Sequence, residues 1–212
     1  TLQPLASRDA KPALAPTQLN SPIPYHSPRL LSLLYRPEQL SALIQLFKPV
    51  VLDSFLNQAG SEATGLKIGQ LIFSISNLSP QMIRSALVNS GLFGEFFLNN
   101  KLSPRADIKQ LLRSLMKNVS LQQTDSDALD KAIDEIESRQ LEGVQAQQNR
   151  EVSYHFIIPF YDSDPVEVQF QRGSSDFTQD EPDWVINLHT DSVELGEIWA
   201  KTTIKATADI EM

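Results

Sequence analysis

The 212 residues contain no cysteine, which excludes disulfides, thiolate metal sites and cysteine nucleophiles together. No stretch approaches the ~18 consecutive apolar residues of a bilayer-spanning helix. Basic residues are short: 18 Lys and Arg stand against 26 Asp and Glu, for a formal charge of −8. They are scattered and form no run, so the clustered positive surface that a nucleic acid or an anionic membrane requires is missing. No charged segment followed by an apolar one opens the chain. It begins at Thr1 and reads as a fragment of a longer protein.

The signatures of catalysis are missing too, with neither Gly-x-Ser-x-Gly nor His-Glu-x-x-His. Gly91 and Gly94 in "SGLFGEFF" follow no strand and precede no Lys-Ser/Thr, so they make no phosphate cradle. Gly91 fits a helix C-cap, with Leu92 and Phe93 docking behind it. The acidic triplets at 125–127 and 162–164 lack the twelve-residue loop, sixth glycine and final glutamate of a calcium site. Helix capping and a hairpin turn account for them. His26 falls in a linker, while His155 and His189 fall on the outward phase of two strands, where surface polarity explains them. No cofactor or metal is implied, and the expectation is a protein without enzymatic activity.

What is present suits a folded chain: 41% of residues are hydrophobic and 21% charged, enough for a core. Residues 1–28 carry six of the 13 prolines, Pro4, Pro12, Pro16, Pro22, Pro24 and Pro28. Proline fixes φ and removes backbone donors, so this stretch reads as an extended linker.

Residues 29–150 have helical texture, with apolar residues three and four apart, as at Leu40, Leu43, Ile44 and Phe47. Pro37 and Pro49 are expected to start helices. Ser79-Pro80 and Ser103-Pro104 each supply an N-cap followed by a first-turn proline. Residues 125–150 predict a long helix, acidic at its start, with a narrow stripe of Leu129, Ile133, Ile136 and Leu141. Residues 65–79, "GLKIGQLIFSISNLS", fit either a short strand pair or a loop packed on the helices.

From residue 151 the period changes from 3.6 to 2. Val152, Tyr154, Phe156, Ile158 and Phe160 share one face, as do Val166, Val168 and Phe170, and Trp184, Ile186 and Leu188. Successive alternating segments predict an antiparallel meander of four to five strands with one wet face. The fold class is therefore α+β, a helical region at 29–150 followed by a sheet domain at 151–212. Trp199 is out of phase with Ile198, Ala200 and Ile204. Exposed there, it is a candidate interface anchor.

The segment "VELGEIWAKTTIKATADIEM" resembles the C-terminal domain of the flagellar hook-length control protein (FliK) family. The resemblance rests on Leu195, Gly196, Glu197 and Ile198, on Ile204, and on a closing strand Ala208-Asp209-Ile210-Glu211-Met212. "IRSALVNSGLF", "ADIKQLLRSLMKN" and "YHFIIPFYDSDPVEVQFQR" extend it loosely over residues 80–212. Two departures stand out: no proline precedes the Leu-Gly within 190–194, and the family's final helix would lie past Met212.

The resemblance implies a secreted ruler of the flagellar type III export system. Its folded C-terminal domain contacts the cytoplasmic domain of the export-gate protein FlhB and switches export from hook-type to filament-type substrates. Hook or hook-cap subunits are further implied partners, the expected state is a monomer, and the expected location is the bacterial cytoplasm followed by export. The partner-binding residues it implies are Leu195, Gly196, Glu197, Ile198 and Trp199. Gly196 would permit a positive φ or a close backbone approach at the strand entry, a conformation that a Cβ would penalise by ~1 kcal/mol or more. Needle-length control in a virulence-type injectisome and a cytoplasmic adaptor are the alternative readings.

Overall fold

The structure, a computed structural model, describes residues 28–34, 39–59, 68–100, 107–118, 123–173, 182–192 and 194–205. In chain order its helices are α1 (Pro28–Leu34), α2 (Ser41–Leu46), α3 (Pro49–Ala59), α4 (Pro80–Asn89), α5 (Gly94–Asn99), α6 (Ile108–Asn118) and α7 (Gln123–Gln148). The strands are β1 (Val152–Ile158), β2 (Val166–Arg172), β3 (Trp184–Ser192) and β4 (Gly196–Ile204). The predicted α+β order of helices followed by an antiparallel sheet is what forms. Residues 1–27, Pro37, Ser103, Pro104 and the expected closing strand from Ala208 to Met212 lie outside the described residues.

Local chemistry accounts for most helix ends. Pro28, Pro49 and Pro80 each open a helix, where their missing N–H costs nothing. Ser79 accepts the Met82 N–H at 3.3 Å, the predicted cap. The cap of α6 is Asp107, which accepts the Gln110 N–H at 2.7 Å. The Asp125 triplet lies in the first turn of α7. Asp162 accepts from Ser74 Oγ at 2.6 Å and the Ile75 N–H at 3.1 Å, so it anchors the 3-10 turn Ile75–Asn77. Residues 68–79 accordingly form a loop on the core, where Phe73 makes an isolated bridge to Phe160 just past β1 and Ile68 and Leu71 share a cluster with Ile157.

Helix α7 is the central element, packed against α1, α2, α6 and β1. Its residues Leu129, Ala132, Ile133 and Ile136 join Leu40, Leu43, Phe47, Leu112 and Leu115 in the main core, together with Ile157 of β1. A second cluster sits on the other side of the sheet. There Phe156, Ile158 and Val168 meet Ala86, Ile83 and Leu87 of α4, with Phe170, Ile186 and Leu188 alongside.

The sheet runs β1-β2-β3-β4 in plain antiparallel order. Along β1 the even-numbered residues face α4 and the odd-numbered residues face α7, so helices lie against both sides of this end of the sheet. This corrects the expectation of one wet face there, while β4 at the other end is exposed on both faces.

Gly91 follows the last turn of α4 with φ +97°, as its C-cap role predicts. A Cβ built there would lie 2.8 Å from Lys109 Cβ and 3.3 Å from Ile136 Cγ2. Lys109 cannot swing aside, since its ammonium is held by Glu95, Glu137 and Gln140. Gly91→Ala is expected to cost about 2–4 kcal/mol, left-handed strain and overpacking together. Gly69→Ala, where a Cβ meets nothing within 4 Å, is expected to be nearly neutral. Urea midpoints of the two variants check the contrast.

Candidate functional site

The β3–β4 hairpin closes on the pair Ser192 and Gly196, with Glu194 and Leu195 in the turn. Gly196 has φ +74° and open space around its Cα, so the glycine is required by conformation and not by crowding. From there β4 pairs with β3 without interruption to Ile204, and all nine of its residues are exposed.

Leu195 is 75% exposed, Trp199 58% and Ile198 40%. The five residues expected to bind a partner are thus contiguous and accessible. Glu197 and Trp199 share one face of the strand, Ile198 takes the other, and Leu195 and Gly196 form the tip.

Beneath Trp199 lie the two histidines expected on the surface, His155 and His189, joined by Glu167. His155 and His189 are each 6% exposed, and Glu167 between them is 4% exposed. Register explains the meeting: Glu167 of β2 is directly opposite His189 of β3 and Ile157 of β1, and His155 lies one diagonal away on the same face.

Glu167 accepts from His155 Nε2 at 2.6 Å, from His189 Nδ1 at 2.8 Å and from the Leu40 N–H, at the start of α2, at 2.9 Å. An ionised carboxylate only accepts, so both imidazoles carry a proton on the nitrogen that faces it. Burial pushes the Glu167 carboxyl up. The hydrogen bonds from His155, His189 and Leu40 outweigh that push and hold it below the usual glutamate value.

Trp199 stacks on His189 with ring centroids 3.9 Å apart and an interplanar angle of 17°. It forms one wall of a cavity of about 410 Å³ that Gln39, His155, Glu167, Asn187 and His189 also line. Nδ1 of His155 and Nε2 of His189 are buried and have no partner among the described residues.

Two further contacts hold this region together, one between helices and one from the helices to the sheet. Glu135 of α7 accepts the N–H groups of Ala42 and Leu43 at 2.9 Å each, and Lys48 pairs with Asp191 of β3 at 2.9 Å. The first N–H groups of α2 are therefore satisfied by two buried carboxylates, one from the long helix and one from the sheet.

The signal that would have found the cluster is the phase of three residues in consecutive strands. His155, Glu167 and His189 occupy one face, and a carboxylate between two imidazoles can accept a hydrogen bond from each. Read strand by strand, each is an ordinary wet-face residue.

Among the described residues no three His, Asp or Glu side chains are arranged to hold a metal ion. No described helix is long and apolar enough to cross a membrane. The chain matches no protein-family model, no curated protein and no solved structure.

Proposed function

We propose that this chain is a non-catalytic interaction module that docks a partner through β4 and its entry turn. We further propose that its role is the one its family resemblance implies: switching the substrate specificity of a flagellar type III export apparatus by contact with the export-gate protein FlhB.

One observation carries the reading. A nine-residue strand at the end of a folded sheet is exposed along its whole length, with Trp199 on one face, Ile198 on the other and Leu195 at its entry turn. Exposed apolar side chains grouped this way mark contact surfaces more often than accident does. The acidic charge and the lack of cysteine suit a chain that is exported unfolded.

Deleting the parent gene and measuring hooks by electron microscopy tests the biological half. Overlong hooks without filaments are expected. Normal hooks and filaments would overturn the flagellar reading, and needles of uncontrolled length in the same strain would transfer it to an injectisome. Calorimetric titration with the cytoplasmic domain of the gate protein tests the contact itself.

A further inference from the structure

We infer that β4 takes its partner by strand addition, an extended segment of another chain pairing with the strand's outer edge. That segment would be apolar at alternate positions, cationic opposite Glu197 and anionic opposite Lys201. The inference rests on the proposed partner-docking role and names its mode.

Backbone chemistry points the same way. In an antiparallel strand the N–H and C=O groups of alternate residues point to the same side. One set in β4 bonds to β3 over nine residue pairs; the other faces outward with no described strand beside it. Long edges of this kind are normally blunted by proline, charged side chains (lysine above all), a bulge, shortening or a covering element. Of these β4 has only the charges of Glu197 and Lys201, which a segment of complementary charge would pair; it has no proline, its register is unbroken, and all of it is exposed. At the other end of the sheet β1 packs against α7 and α4 and its second half is buried, so only β4 presents an edge strand exposed on both faces. A helix laid across β4 would cover one face and leave this row of backbone groups unmatched.

The side chains narrow the occupant. Ala200 and Thr202 are opposite Leu188 and Ile186, which border the second core cluster. With Ile198 and Ile204 they form a row that an added apolar strand would extend. On the other face Glu197 and Lys201 flank Trp199. Glu194 and Glu197 make the turn end acidic, while Lys201 and Lys205 make the far end basic. The complementary segment is therefore basic where it meets the turn and acidic at its other end, which sets its direction. A second copy meets the repulsion of two chains of −8 each.

Amide hydrogen exchange across residues 196–204 of the full chain, with and without the gate protein's cytoplasmic domain, tests this. Strand addition predicts roughly tenfold or greater slowing at every second residue, because the intervening amides are already bonded to β3. Binding that slows none of them, or slows them without alternation, would overturn strand addition and leave the docking role standing. Failure of the domain to bind would overturn both. Alternate protection already present in the free monomer would assign the edge to the chain's own residues. Protection that grows with protein concentration would assign it to a second copy. Either result sinks the inference.

Discussion

Glu167→Ala is expected to cost about 3–5 kcal/mol of folding stability, the range for breaking a buried charged group's hydrogen bonds. Three donors lose their acceptor at once: His155 Nε2–H, His189 Nδ1–H and the Leu40 N–H. Each is buried, so each incurs an uncompensated desolvation penalty of roughly 1–3 kcal/mol, partly relieved where the cavity admits solvent. Against a typical total of about 5–15 kcal/mol the loss is large. Glu167→Gln keeps the shape but turns an amide N–H toward an imidazole N–H, and is expected to fall between alanine and the native chain.

Urea denaturation followed by tryptophan fluorescence at pH 7 reads the difference. The same comparison has a pH signature. The folded carboxyl lies below its ordinary value. Its contribution is therefore fully present above the unfolded value of about 4.3 and is lost as pH falls through the folded value. The gap between native chain and Glu167→Ala should close on acidification below pH ~4.3. A gap under about 1 kcal/mol at pH 7, or one unchanged down to pH 3, would show that the carboxylate is not what joins the helices to the sheet.

Trp199→Ala is expected to weaken partner binding by about 30-fold or more, corresponding to ~2 kcal/mol, as for a central aromatic anchor. Its effect on stability should be smaller, about 1 kcal/mol, from losing the stack on His189. Both values matter, because Trp199 has two contacts: one ring face on the buried imidazole and the rest of the side chain free for a partner.

Ile198→Ala, on the opposite face of β4, separates the two effects. It removes exposed apolar surface without touching the cluster, and is expected to reduce affinity several-fold at unchanged stability. Calorimetric titration and thermal unfolding on the same preparations provide the two axes. Native-like affinity in a folded Trp199→Ala chain would move the contact surface off this strand.

Much of the fold was legible because its determinants are local. Ser79 and Pro80 cap and start α4 within four residues of each other, and Gly91 ends it with the positive φ that a following turn needs. The stripe of Leu129, Ile133 and Ile136 faces the core because 3.6-residue spacing leaves it on one side of α7. Gly196 was identifiable from its place between two alternating segments. Asp107 was missed as the cap of α6 because Ser103-Pro104 offered a more familiar signal upstream.

The histidines show where such reasoning stops. His155 and His189 alternate with apolar neighbours as surface residues do, and nothing within either strand distinguishes them. Composition and periodicity alone determined the order of helices and strands, the antiparallel pairing and the absence of thiol chemistry. Tertiary structure alone decided that the polar face of the sheet is covered at His155, Glu167 and His189. A polar side chain can be buried only where a partner satisfies it, and the partners here come from 12, 22 and 127 residues away in the chain. Separations of that kind leave no trace in a local pattern, so the same alternation that signals a wet face also describes one closed by a carboxylate between two imidazoles.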